Sequence, residues 1–249
     1  ITGSFTMPTV AEGNQAWVYF EPAYDGGATG NTSTFYVDDI TAIVPEPPVV
    51  QELTPIKDTV PFPMGVAIDS RETVGAPAEL LLRHFNQISA ENFMKPEAWY
   101  DADGNFAPNA GEIDSLMDFA VENNLRMYGH VLVWHSQTPA FFFQDDSGAP
   151  LTDSPADQAI LRARMEAHIN NVADYLSQWG EYGGDNPLVA WDVVNEVIDD
   201  SAAYADGMRR SEWYRILGET FVDDAFEFAE QAFNVDYAAA GADRPVFML

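Results

Sequence analysis

The run Leu188-Val189-Ala190-Trp191-Asp192-Val193-Val194-Asn195-Glu196 decides the fold. Residues 188–194 are apolar except for Asp192, and the run stops in an amide beside a carboxylate. A strand with apolar residues on both faces belongs to a parallel sheet covered by helices. The pattern recurs upstream. Short apolar runs at 64–68, 87–90 and 127–134 alternate with helical stretches at 77–85, 112–123 and 155–179, and a helix over 211–233 leads to a fifth run at 245–249. In the first helix Leu80, Leu81 and Leu82 are predicted to face inward. In the second, Ile113, Leu116, Met117, Ala120 and Val121 recur at helical spacing. Asp153 or Ser154 can cap the third helix and Ser211 the fourth. Strand–helix repetition gives an α/β fold with a parallel sheet, either doubly wound or closed into a (β/α)8 TIM barrel. No glycine-rich phosphate loop follows the first strand, which counts against the nucleotide-binding sheet. A full barrel takes about 200 to 250 residues. With only five strands begun, residues 63–249 are predicted to form the N-terminal half of one, truncated after about the start of the fifth strand. Open sheet edges in such a half invite aggregation, so the piece alone is expected to be poorly soluble or molten.

Upstream, residues 1–44 are predicted to contribute strands at 3–7, 16–20 and 35–44, separated by Asp25-Gly26-Gly27 and Gly30-Asn31. Three strands in so short a stretch do not close a sandwich, and they are predicted to be the C-terminal part of an all-β, jelly-roll-like module. Pro45-Glu46-Pro47-Pro48 opens a proline-rich linker over 45–62.

Composition narrows the partners. The net charge is −29, from 40 acidic and 11 basic residues, and Lys57 and Lys95 are the only lysines. Nucleic acid is excluded as a partner because phosphate binding needs clustered cations. A neutral polysaccharide is not repelled by this field. Surface acidity that merely keeps a protein soluble is the competing reading. With no cysteine and four scattered histidines, no disulfide, metal site or cofactor is expected. No apolar run approaches the roughly 20 residues that cross a bilayer, so no membrane is expected. A secreted monomer is the expectation.

In a barrel the working side chains sit at the C-terminal ends of strands. Three such ends are polar: Glu91, Asn92 and Lys95 after the second strand; Trp134, His135 and Gln137 after the third; Asn195 and Glu196 after the fourth. Splitting a glycosidic bond requires a carboxylic acid to protonate the leaving oxygen and a second carboxylate to attack or to activate water. Amides, His and Lys suit hydrogen bonds to sugar hydroxyls, and Trp134 and Trp191 supply aromatic faces. Each residue has a plainer reading. Glu196 alone would be a rim carboxylate, Glu91 and Lys95 a strand-end ion pair, Asn92 a turn residue, Trp191 core packing. His84, His130 and His168 are read as structural, Asp199 and Asp200 as loop solvation.

Taken together, Ala90-Glu91-Asn92-Phe93-Met94-Lys95-Pro96-Glu97, Leu132-Val133-Trp134-His135-Ser136-Gln137-Thr138-Pro139 and Trp191-Asp192-Val193-Val194-Asn195-Glu196 resemble successive signatures of glycoside hydrolase family 10. Arg210-Ser211, Trp213 and Gly218-Glu219 resemble its fourth-helix region, and the likeness covers about residues 60–249. The resemblance implies a retaining endo-β-1,4-xylanase acting on xylan and xylo-oligosaccharides by double displacement. It implies Glu196 as general acid/base and Asn195 as the amide on the sugar 2-hydroxyl. Glu91, Asn92, Lys95 and His135 would line the sugar subsites, with Gln137 and Trp134 beside that wall. A β-1,4-glucanase or cellulase of the same clan, and a non-catalytic xylan-binding protein, are the alternatives. The family's nucleophile lies in a Thr-Glu-Leu-Asp type run, and residues 1–249 contain none; alone they are expected to be inactive. Members commonly carry Trp after the His-Ser-Gln-x-Pro run, where this chain has Phe141-Phe142-Phe143. Residues 3–8 and 34–40 resemble the end of a carbohydrate-binding module of family 22 or 4/9, in which Asp38 or Asp39 would sit where a late Asp helps to bind calcium.

Overall fold

A computed structural model describes residues 49–201 and 203–249. The strands expected in 1–44, the module they were assigned to, and Asp38 and Asp39 lie outside the described residues.

Five strands form one parallel sheet in the order β1-β2-β3-β4-β5: β1 (Gly65–Ile68), β2 (Gln87–Ala90), β3 (Arg126–Val133), β4 (Leu188–Val194) and β5 (Phe247–Met248). Each strand pairs with the next in sequence, and β4 has the bounds read from sequence. A doubly wound sheet reverses its strand order; this one does not, which is the progression of a barrel wall. Phe247 and Leu249 at the β5 side are exposed.

The helices are α1 (Gly75–His84), α2 (Ala110–Glu122), α3 (Pro155–Leu176), α4 (Glu212–Leu217) and α5 (Phe221–Gln231). Ser154 caps α3 by accepting from the Asp157 backbone N–H, with Pro155 at the first helical position where its missing N–H costs nothing. Ser211 caps α4 in the same way. The helix expected to run unbroken over 211–233 is two helices. Gly218 adopts φ +71°, a left-handed conformation that ends α4, and α5 starts again at Phe221. Two inward assignments are also corrected. Leu80 and Val121 are about half exposed, whereas Leu81 is buried as read, and Phe119 is buried on α2. A 100° step per residue puts only one or two of three consecutive leucines on the buried stripe. Residues 52–57, read as linker, hydrogen-bond to α1 and its neighbours: the Ile56 N–H donates to His84 Nδ1 (3.2 Å) and Lys57 Nζ donates to the Leu82 carbonyl (2.6 Å).

The core lies between sheet and helices. Trp191, fully buried, packs on Phe233 (5.8 Å between ring centroids) and lies across Gly129 of the neighbouring strand. A Cβ at Gly129 would stand 2.3 Å from the indole, so only glycine fits there.

His168 is a buried member of this layer. Its Nδ1 accepts from the Tyr100 hydroxyl (3.0 Å) and its Nε2–H donates to the Leu132 carbonyl (3.1 Å), an arrangement that suits the neutral ring. Burial pushes its pKa down to about 4. The native value lies below that of the unfolded chain, so the unfolded state takes up the proton first. This contribution is complete above about pH 6.5 and is lost as the pH falls through 4. The loss is on the order of 3 kcal/mol. Thermal melts of His168→Gln are therefore expected to fall less steeply between pH 6.5 and 4 than those of the parent; equal slopes would contradict the assignment.

Candidate active site

The C-terminal ends of β2, β3 and β4 bring five of the eight expected residues, Asn92, Lys95, Trp134, His135 and Glu196, into one chain of side-chain contacts. Glu196 follows β4, and its Oε2 accepts from Trp134 Nε1–H (3.2 Å). His135 Nε2 lies 3.6 Å from the same oxygen, beyond good hydrogen-bond range. Burial, together with the Arg209 charge, holds the His135 imidazole below its ordinary value against the opposing pull of Glu196, so the ring is neutral near pH 7 and the contact is not an ion pair. Lys95 Nζ sits over the Trp134 ring at 5.1 Å and donates to Asn92 Oδ1 (3.1 Å). The strand-end ion pair with Glu91 is not formed. The Asn195 N–H donates to the Val133 carbonyl, locking the end of β4 to the end of β3. Gln137 and Glu91 are positioned through backbone bonds: the Glu97 N–H donates to the Gln137 carbonyl (2.8 Å) and the Glu91 N–H to the Ile68 carbonyl (3.0 Å).

Two of these residues hold unusual backbone. Glu196 has φ +54° and Gln137 φ +45°, left-handed values that cost a non-glycine residue on the order of 1–3 kcal/mol and concentrate at functional sites. At Glu196 the conformation is braced by Arg209, whose Nε–H donates to the Glu196 carbonyl (2.7 Å). Trp213 braces the other side, its indole N–H donating to the Trp134 carbonyl (2.9 Å). Neither brace nor the positive φ has a sequence signature short of knowing the loop. The carboxylate is about half exposed, so it has both a fixed direction and access to solvent.

His130 and Asp192 enlarge the cluster. They are register partners on β3 and β4. His130 Nδ1 lies 2.7 Å from Asp192 Oδ2, and the Tyr128 hydroxyl donates to the other carboxylate oxygen. A carboxylate only accepts, so His130 carries its proton on Nδ1. The pair faces away from Trp191 and the helices, with the His130 ring 6.4 Å from that of Trp134. Strict alternation along β3 would have put Tyr128 and His130 on the inner face; read singly, His130 looked structural. Trp191 is core, as its plainer reading had it. Phe142 is buried, Phe141 packs on Tyr100 and Phe143 on Trp213, so none of the three offers a free ring. Another hollow, of about 530 Å³, opens near the N-terminal ends of β2–β4 between Asn86, Arg126 and Pro187, the face of such sheets that serves stability. Among the described residues no cluster of three or more His, Asp or Glu is placed to hold a metal, and no helix is long and apolar enough to cross a membrane.

The sequence model of glycosyl hydrolase family 10 matches residues 55–238. The chain belongs to glycosyl hydrolase family 10. That membership implies a (β/α)8 barrel, of which the five described strands are consecutive staves. Among curated relatives, endo-1,4-beta-xylanase A of Thermoanaerobacterium saccharolyticum is 37% identical over 93% of this chain and 19% of its own length. Exoglucanase XynX of Acetivibrio thermocellus is 35% identical over 93% of this chain and 21% of its own length. The intracellular xylanase TsXylA of T. saccharolyticum, solved as a glutamate-to-alanine variant with xylotetraose, superposes with a TM-score of 0.62 at 36% identity, covering 73% of this chain and 54% of that one. The chain thus spans about a fifth of the length of these curated relatives and about half of that solved structure.

Proposed function

We propose that the full-length protein is a retaining endo-β-1,4-xylanase with Glu196 as general acid/base. The observation that carries this is the Glu196 carboxylate itself. It leaves the C-terminal end of a barrel strand in a braced left-handed turn, with Trp134 and His135 against it. In the first step Glu196 gives its proton to the leaving oxygen while a second carboxylate attacks the sugar carbon. In the second step Glu196 takes a proton from water, and that water releases the sugar. The attacking carboxylate belongs to a run that residues 1–249 do not contain, so these residues alone are expected not to turn over xylan. Trp134 and Asn195 hold the acid and the reacting sugar in register. Asn92, Lys95 and His135, with Glu91 and Gln137 beyond them, form the wall for the non-reducing side. The neutral imidazole of His135 does not repel an oxocarbenium-like sugar.

Xylan as substrate is supported by the xylanase names of the relatives and by the xylotetraose bound to TsXylA. The exoglucanase name of XynX keeps β-1,4-glucan as the second reading. The same proposal includes secretion, a monomer, and a carbohydrate-binding module in residues 1–44. Rates of the full-length protein on xylan, carboxymethyl-cellulose and mixed-linkage glucan test the substrate. Xylan is expected to be cleaved at least tenfold faster than either glucan. Faster glucan cleavage selects the second reading, and adsorption to xylan with no reducing sugar released refutes an enzyme.

A further inference from the structure

The end of β1 holds a buried carboxylate that the reaction described above does not use. Asp69 follows Ile68 and is only 8% exposed. With Glu72 it forms a reciprocal cap on the turn Ser70–Thr73. The Asp69 carboxylate accepts from the Glu72 N–H, and Glu72 Oε2 accepts from the Asp69 N–H (3.0 Å). Arg71 donates to Asp69 Oδ2 over a long 3.4 Å. The other oxygen, Oδ1, is buried and has no hydrogen-bond partner. A bare carboxylate oxygen in such a place is costly, whereas a protonated one is a donor that needs only an acceptor.

The sheet places that acceptor alongside. Ile68 is the register partner of Ala90, and the Glu91 N–H carries the ladder on to the Ile68 carbonyl (3.0 Å). Asp69 therefore stands next to Glu91 across a strand spacing of roughly 5 Å. Ile68 and Ala90 are buried in the core, so by alternation Asp69 and Glu91 both turn to the opposite face. The Glu91 side chain is exposed, and among the described residues no donor reaches its carboxylate; Lys95 is turned to Asn92 and Trp134 instead. Burial and then the Glu91 charge push the Asp69 pKa above the usual carboxylate range. Arg71 opposes them, and Glu112 and Glu72 add to the rise. We propose that Asp69 is a positioning residue for Glu91: its Oδ1 carries a proton, donates it in a hydrogen bond to the Glu91 carboxylate, and so aims that carboxylate at a xylose hydroxyl. As the pH rises and the proton is lost, two neighbouring carboxylates repel and Glu91 loses its direction. Sugar binding weakens, while proton transfer by Glu196 at the end of β4 is left as it was.

The inference rests on the xylanase reading, and the experiment separates the two. KM and kcat on xylotetraose are measured between about pH 4 and 8 for the full-length parent and its variants. Parent KM is expected to climb as Asp69 titrates. Asparagine can cap the turn through its carbonyl and keeps a donor in the place of Oδ1 at every pH, so Asp69→Asn should abolish the climb. Asp69→Ala should raise KM at low pH about tenfold with little change in kcat. In a Glu91→Ala background the same substitution should add no further loss. A climb that persists in Asp69→Asn, or an Asp69→Ala effect that is equal with and without Glu91, overturns the positioning role while the xylanase reading stands. So does a fall in kcat and melting temperature with KM unchanged, the mark of a mere cap. A parent that cleaves no xylotetraose at any pH overturns the xylanase reading and this inference with it.

Discussion

Glu196→Gln in the full-length protein is expected to lower kcat on unactivated xylan by about 10²–10⁴-fold, the usual contribution of a positioned proton donor. Glutamine keeps the shape of the side chain and can still accept from the Trp134 indole N–H, so the wall around it should survive and KM should change little. What disappears is the transferable proton. The loss should depend on the leaving group. A xylan hydroxyl leaves badly without protonation, whereas a dinitrophenolate leaves well on its own, so the first step on an aryl xylobioside of that kind should be slowed far less. An equal loss on both substrates would mean that the substitution had damaged the fold or the binding wall. Near-normal turnover of xylan would remove Glu196 from the chemistry.

Trp191→Ala should be the most destabilising single change in the described core, costing about 3–5 kcal/mol by the usual cavity cost of a large aromatic, against a total stability of only about 5–15 kcal/mol. Trp191→Phe should cost much less. The buried indole nitrogen has no hydrogen-bond partner, so phenylalanine removes an unsatisfied donor while losing only part of the packing. The neighbouring glycine gives a sharper test. Gly129→Ala places a methyl group 2.3 Å from the indole and should cost about 1–3 kcal/mol or more in the parent. In the Trp191→Ala background the same methyl group meets empty space, so the two changes should be strongly non-additive. Simple additivity in thermal unfolding would contradict the packing described here.

The sheet was legible because its strands are apolar on both faces and stop in polar clusters, a pattern set by burial alone; β4 emerged with its bounds intact. The cluster of Asn92, Lys95, Trp134, His135 and Glu196 was legible because strand ends converge in a parallel barrel, so residues as far as 104 apart in sequence share one mouth. Less visible was whatever depends on direction rather than type. Gly218 looks like any glycine until its left-handed backbone ends α4. Leu80 looks like Leu81 until the helix phase turns it outward. His130 looked structural because its partner Asp192 lies 62 residues away on the next strand, and a register is not written in either strand alone. The stacking of Tyr204 and Tyr214 on the Arg210 guanidinium, at 4.1 and 4.3 Å, was hidden for the same reason: the three side chains come from an acidic loop and from α4.

The central claim, that the side chain of Glu196 donates and later recovers the proton at the barrel mouth, is tested most directly by adding sodium azide to the full-length Glu196→Ala protein during hydrolysis of an activated aryl xylobioside. With the acid/base removed, the glycosyl-enzyme should accumulate, and azide, which needs no base, should attack it from the face where Glu196 stood. The expected result is a rate increase with formation of the β-configured xylobiosyl azide. An α-configured azide would make Glu196 the nucleophile, and no azide effect at all would place it outside the reaction.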